Sequence, residues 1–252
     1  HADYSAWLRY GSIPTGGGEF SGRMTAPLCA AGGVCLQILK RRNINISAHI
    51  LRIGDLSDTP YDPMRGATEA CGEFPCVSPE AAGLMKSSIL AAAAEGDSLG
   101  AVIECAADGV PAGLGGPLFE GLEGRIASLA FAIPAVKGIE FGAGFDAARL
   151  RGSENNDPFV ICGGRVATAT NNAGGILGGI SDGMPLVFRA AIKPTPSIAK
   201  AQRSVSLRDM TERELKIGGR HDPCIAPRAV PVVEAAAAIA LLDALLEDEY
   251  ER

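Results

Sequence analysis

The stretch from 171 to 198, NNAGGILGGISDGMPLVFRAAIKPTPSI, decides the reading of this chain, because it joins a comb of glycines to a strand that ends in a lysine and two hydroxyls. Gly174, Gly175, Gly178, Gly179 and Gly183 open backbone angles closed to other residues and let a ligand lie against the main chain. LVFRAAIK follows, a short apolar run ending at Lys193; Pro194 and Pro196 then hold the chain extended and remove two amide donors. Alternate residues of an extended chain share a face, so Lys193, Thr195 and Ser197 are expected to point the same way. One ammonium and two hydroxyls on one side suit a phosphate.

The rest of the chain bounds what that stretch can belong to. A length of 252 residues with 47% hydrophobic composition is enough for one sizeable core, and no linker divides 1–252, so it reads as a single domain. The densest polar stretch, SDTPYDPMRGATEACGEFPC (57–76), has no periodicity and is expected to form a surface loop. A net charge of -6 argues against nucleic-acid binding, which needs a basic face. Arg23, Lys137, Arg165, Lys193, Arg220 and Arg228 nevertheless sit in or beside the motif segments, which fits a small anionic ligand. The 7 cysteines are scattered and include no C-x-x-C pair. That pattern suits reduced thiols in a cytoplasmic protein and suggests neither a disulfide framework nor a metal site. No apolar run reaches the ~18 residues of a membrane span, because Glu234 and Asp243 interrupt VVEAAAAIALLDALL, so no membrane association is expected.

Local patterns point to an α+β architecture. SPEAAGLMKSSILAAAAEG (78–96) has Ser78 as N-cap, Pro79 at the first helical position and Gly96 at the exit. PVVEAAAAIALLDALLEDEY, near the C-terminus, repeats Val232, Val233, Ala236, Ile239, Ala240, Leu242 and Leu246 at roughly helical spacing, which predicts one buried stripe. Residues 21–42 and 117–131 are also expected to be helical. INISAHI (44–50) alternates Ile44, Ile46, Ala48 and Ile50 with Asn45, Ser47 and His49, a strand whose polar face would leave His49 solvated. Asp108-Gly109 between SLGAVIECAA and VPAGLG predicts a hairpin, and 136–142 and 186–193 complete the strands. Strand pairs joined by turns, with long helices, predict antiparallel sheet with helices packed outside.

Two nucleotide motifs are tested and fail. GAGFDA (142–147) fits G-x-G-x-x-A after a strand, but ARLRGSENNDP is too short and polar for a crossover helix and Pro158 would stop one. No G-x-x-x-x-G-K-[ST] occurs. His221-Asp222 before Pro223 is held at a rigid turn; from the dipeptide alone Asp222 would cap the turn and His221 would be half exposed. A lone His1 at a chain start reads as mobile terminus.

The glycine comb followed by KPTPSI resembles the signature of the chorismate synthases. GRHDPCIAPRAVPVVEA (219–235), GSENND (152–157), SLGAVIE (98–104), IPAVKGIEFGAGF (133–145) and HADY (1–4) resemble that family's other motifs, in the family's order. GGGEFSGR (16–23) is similar to the family's flavin loop, with Ser21 and Arg23 matching, while Glu19, Gly22 and Met24 depart from the common pattern.

The resemblance implies a layered sandwich with antiparallel sheets inside and helices outside, assembled into homotetramers. It also implies that 1–252 is one chorismate synthase domain that is N-terminally incomplete, since members carry a Gly-Glu-Ser-His-Gly segment and substrate-binding arginines before HADY. The implied reaction is the anti elimination of phosphate from 5-enolpyruvylshikimate 3-phosphate to give chorismate, in the shikimate pathway, with reduced FMN as cofactor. NADP is associated with the family, and whether this protein reduces its own flavin is left open. By resemblance His1 and Asp222 are catalytic. Phe20, Ser21, Pro134, Ala135, Gly178, Lys193, Pro194, Thr195, Pro196, Ser197 and Arg220 hold the cofactor, and Arg23 and Arg220 face the substrate. The alternative is a truncated, non-catalytic flavin-binding or assembly subunit of the same family.

Overall fold

Residues Leu186–Ile192 alternate apolar side chains toward one face, and the strand they form is held on both sides by other strands. In a computed structural model describing residues 2–63, 66, 70, 73–219 and 221–251, the strands in chain order are β1 (Asn45–Ile53), β2 (Leu56–Ser57), β3 (Ala101–Asp108), β4 (Val136–Phe141), β5 (Phe159–Cys162), β6 (Arg165–Thr168), β7 (Ile176–Leu177), β8 (Ile180–Ser181), β9 (Leu186–Ile192), β10 (Gln202–Ser206) and β11 (Thr211–Leu215). Five of them form one antiparallel sheet in the order β2-β1-β3-β9-β4. Three hairpins, β5-β6, β7-β8 and β10-β11, stand apart from it.

The helices are α1 (Asp3–Tyr10), α2 (Ala26–Arg41), α3 (Pro79–Ala94), α4 (Leu122–Ala132), the single turn α5 (Gly152–Asn155) and α6 (Ala226–Glu251). Ile50, Ile103, Cys105, Phe188 and Ala190, all from the same sheet face, share one core cluster with Leu39 of α2, Ile126 of α4 and Val233, Ala237 and Leu241 of α6. The class is therefore α+β, with antiparallel sheet and helices packed on it. Ser78 accepts a hydrogen bond from the Ala81 amide at 3.2 Å, and α3 ends before Gly96 at φ 70°, as the sequence pattern predicts.

Helix α6 departs from the expected single stripe. Ala235, Ala236, Ala237 and Ala238 are all buried, so the helix is covered on most of its circumference, while Leu246 is exposed. The alanines make it thin enough for close approach: a Cβ on Gly32 of α2 would lie 2.2 Å from that of Ala235. By length and composition Ala226–Tyr250 could cross a membrane, contrary to the sequence reading, but it is mostly buried in the core here.

Two further expectations are corrected. Asp108-Gly109 does not turn into a hairpin partner, because β3 is already paired with β1 on one edge and β9 on the other. Gly109 instead packs where a Cβ would strike the Asn43 carbonyl at 2.2 Å. His49 is not solvated: it is buried, with Nε2 3.1 Å from the Thr59 carbonyl. The cover comes from Thr59 and Tyr61, whose carbonyl and amide meet His49 and Glu104, while Phe74 and Cys76 of the same 57–76 stretch join the main core instead. Asp58 accepts hydrogen bonds from the Val77 and Ser78 amides, folding that segment back onto the start of α3.

Candidate functional site

The glycine comb is built as its sequence requires, with all five glycines at positive φ. They divide into two kinds. A Cβ on Gly174 would lie 2.4 Å from the Gly142 nitrogen, one on Gly175 2.6 Å from the Pro185 carbonyl, and one on Gly179 2.2 Å from the Gly116 carbonyl. Those glycines therefore admit the protein's own backbone, where the sequence reading had a ligand in mind. Gly178, at φ 64°, would place a Cβ in open space, and Gly183 would place one in ordinary contact with Ala112 at 3.4 Å, so Gly178 is the comb position with most room for a ligand.

The motif GSENND anchors the comb. The Asp157 carboxylate accepts from the Asn172 and Ala173 amides at 2.7 and 2.8 Å and from the Thr170 hydroxyl at 2.5 Å. A second anchor is Arg189 of β9. It reaches Glu104 at 3.1 Å, Glu140 at 2.7 Å and the Gly142 carbonyl at 2.6 Å. His49, Glu104, Arg189 and Glu140 are successive cross-strand partners, so a line of ionisable groups crosses four strands on the face away from α6. Glu104 is 1% exposed, and Arg189 and the Tyr61 amide, 2.6 Å away, compensate its charge. Sequence reasoning missed this line because the pairing that assembles it is not local.

The lysine-hydroxyl segment leaves the sheet beside the Pro134-Ala135 turn. Ala135 adopts φ 77°, a left-handed conformation unfavourable for a residue with a Cβ, and its carbonyl accepts the Lys193 amide at 2.9 Å. The Ser98 hydroxyl donates to the Thr195 carbonyl at 2.7 Å, and the Gly96 carbonyl accepts from Ala199 and Lys200. On the other side the Leu99 amide donates to the Pro223 carbonyl at 2.8 Å. The exit of α3 thus ties the lysine-hydroxyl segment to the His221-Asp222 turn.

Between these segments lies a cavity of about 240 Å³, lined among others by Asp97, Ser197, Ile198, His221 and Asp222. Lys200 holds Asp97 at 2.7 Å, and that hydrogen bond keeps the Asp97 carboxyl below its ordinary range. Arg228 Nη1 donates to Asp222 Oδ2 at 2.6 Å. Asp222 is therefore one half of an ion pair as well as a turn residue. Among the described residues, four buried side-chain atoms have no hydrogen-bond partner: Asn155 Oδ1, Asn171 Oδ1, Thr195 Oγ1 and His221 Nε2. Each belongs to a motif segment. Buried polar atoms are rarely left unpaired without a reason, and a ligand is one such reason.

The 16–23 loop is built separately. Gly16, Gly17 and Gly18 take positive φ, and Ser21 caps the short helix that follows. Arg23 turns back, donating to the Gly16 carbonyl at 2.8 Å and to Ser21 Oγ at 3.1 Å. Its hydrogen bonds thus stay within its own loop, beside half-buried Phe20. His1 and Arg220 lie outside the described residues.

Comparison with known proteins bears on the family and the fold. A family model described as chorismate synthase matches residues 1–246. The chain is 49% identical over 249 residues to the chorismate synthase of Archaeoglobus fulgidus, covering 98% of this chain and 69% of that protein. It is 46% identical over 262 residues to that of Lancefieldella parvula, covering 97% and 69%. A crystal structure of chorismate synthase superposes with a TM-score of 0.76 at 33% identity, over 90% of this chain and 65% of that one. The chain thus spans about two thirds of the length of the relatives it matches.

Proposed function

The chain belongs to the chorismate synthase family, lyases of aromatic biosynthesis, and from that premise we propose that the protein eliminates phosphate and a ring proton, anti to one another, from 5-enolpyruvylshikimate 3-phosphate to give chorismate. Reduced FMN is the proposed cofactor. The observation that carries this reading is that Ser197 and the His221-Asp222 turn line one cavity, while Thr195 Oγ1, two residues before Ser197, is buried and unpartnered among the described residues. Similarity to named chorismate synthases over nearly the whole chain favours the enzyme over a non-catalytic subunit.

The residues present fit a flavin mononucleotide. Thr195 offers a hydroxyl without a protein partner among the described residues, Gly178 faces open space, and Lys193, two residues before Thr195, is partly buried. Lys193, Thr195 and Ser197 would hold its phosphate, with Pro194 and Pro196 restricting that segment, while Gly178 and the Pro134-Ala135 turn would line the ring system and the Phe20-Ser21 backbone and Arg220 would complete the cradle. When bound, reduced FMN supplies electron density to an elimination whose ring hydrogen is weakly acidic.

The chain's own groups do the rest. Arg23 and Arg220 meet the substrate's carboxylates and phosphate, for which guanidinium geometry is suited. In that role Arg23 exchanges its bonds to Gly16 and Ser21 for substrate oxygens. Asp222 Oδ2 is held by Arg228, so Oδ1 is the oxygen that would accept a proton as general base, and His1 would act as a proton donor in the same site.

Assembly into a homotetramer and a cytoplasmic location belong to the same reading. Exposed Phe119, Phe159 and Ile161 support the former. An anaerobic assay of the full-length protein, following phosphate release and chorismate formation with and without reduced FMN, tests the function. Turnover without flavin, or none with it, contradicts it.

A further inference from the structure

The cavity between the exit of α3, the lysine-hydroxyl strand and the 221–223 turn gives His221 a part that the reading above leaves unassigned, and the inference rests on that reading. His221 lines the cavity together with Ser197 and Asp222, and its Nε2 is buried with no hydrogen-bond partner among the described residues. A buried ring nitrogen left unpaired is costly unless a bound molecule satisfies it. Gly219, at φ 116°, lies beside the ring: a Cβ there would be 3.7 Å from Nε2, in ordinary contact with it.

The surrounding charges say what kind of molecule fits. The two carboxylates of the cavity wall are each countered, Asp97 by Lys200 at 2.7 Å and Asp222 by Arg228 at 2.6 Å. What remains to face a ligand is the Ser197 hydroxyl and the imidazole, with apolar Ala93, Ile198 and Pro223 around them. A hydroxyl and an imidazole N–H both donate well to phosphate oxygens. We propose that His221 donates from Nε2 to an oxygen of a phosphate monoester bound in this cavity, sharing that group with Ser197. The chemistry has two possible sources, the phosphate of the flavin mononucleotide and that of the substrate.

Binding measurements on the full-length protein separate them. Dissociation constants are measured anaerobically for reduced FMN and reduced riboflavin, and for the substrate on flavin-loaded protein, in wild type, His221→Ala and His221→Gln. Inorganic phosphate is titrated against thermal stability as a flavin-independent probe. The proposal expects His221→Ala to weaken one phosphorylated ligand by about tenfold or more while riboflavin is unaffected. His221→Gln, which keeps an N–H donor, should recover most of the loss. Weaker FMN binding identifies the flavin phosphate, and weaker substrate binding with FMN unchanged identifies the substrate's. Inorganic phosphate should raise the melting temperature of wild type more than that of His221→Ala. Equal losses for FMN and riboflavin, or no change in any phosphorylated ligand and equal protection by phosphate, overturn the proposal. Wild-type protein that gains thermal stability from phosphate through His221 but binds no reduced flavin contradicts the functional reading and leaves this one standing.

Discussion

The Lys193 amide donates to the Ala135 carbonyl at 2.9 Å, so the residue proposed to hold a phosphate is fixed to a turn whose own backbone is strained at φ 77°. A left-handed conformation in a non-glycine residue costs about 1–2 kcal/mol. Ala135→Gly removes that strain but adds chain entropy to the unfolded state, so its stability should stay within about 1 kcal/mol of wild type. Ala135→Val adds β-branching to the strain and should lose more than about 1 kcal/mol, with weaker flavin binding as the turn shifts. Denaturant unfolding beside a flavin titration checks both.

The comb gives a paired comparison. Gly178→Ala adds a methyl to open space at φ 64°, so the protein should fold with a loss of about 1 kcal/mol while flavin binding falls well beyond that. Gly179→Ala would press a methyl to 2.2 Å from the Gly116 carbonyl and should lower soluble yield and melting temperature sharply. Flavin binding unchanged in folded Gly178→Ala would remove that residue from the site.

Glu234 offers a pH-dependent test. Burial in α6 raises its carboxyl above the ordinary value, despite the hydrogen bond it accepts from the Ala48 amide at 2.8 Å. A raised acid holds its proton more tightly in the folded state, so its contribution is most favourable below the unfolded value and declines as pH rises through the folded one. Glu234→Gln keeps an oxygen for Ala48 and removes the charge. It should be more stable than wild type at neutral pH, with the advantage shrinking toward pH 4.5, the ordinary value. Urea midpoints across that range measure it.

Glu104 and Arg189 predict a non-additive effect. Arg189→Ala strands a carboxylate that is 1% exposed and should cost about 3–5 kcal/mol. Adding Glu104→Gln should recover part of that loss, which a double-mutant cycle in urea would register.

The sequence disclosed what local chemistry controls. Ser78, Pro79 and Gly96 bracket α3 because capping acts within a turn, and the glycines of the comb take positive φ because little else can. Non-local pairing was the blind spot. Asp108-Gly109 carries a hairpin signal, yet β3 had both edges claimed by β1 and β9, strands distant in sequence. His49 sits on the polar face of an alternating strand, but the pattern could not tell that Thr59 and Tyr61 cover that face. At the candidate site, motif order singles out the Lys193–Ser197 segment and Asp222, of which Ser197 and Asp222 line the same cavity. The ion pair from Arg228 to Asp222 and the unpaired nitrogen of His221 depend on how the turn meets the cavity, and no residue spacing encodes that.

The central claim is that the Lys193–Ser197 strand holds the phosphate of reduced FMN for a reaction in which Asp222 is the base. The most direct measurement is anaerobic binding of reduced FMN and turnover of 5-enolpyruvylshikimate 3-phosphate, made side by side on full-length wild type, Lys193→Ala and Asp222→Asn. Lys193→Ala should weaken FMN by roughly 1.5–3 kcal/mol through loss of a charged hydrogen bond. Asp222→Asn should bind FMN normally and turn over about a hundredfold more slowly or worse. Unchanged FMN affinity in Lys193→Ala together with near-normal turnover in Asp222→Asn would contradict the account.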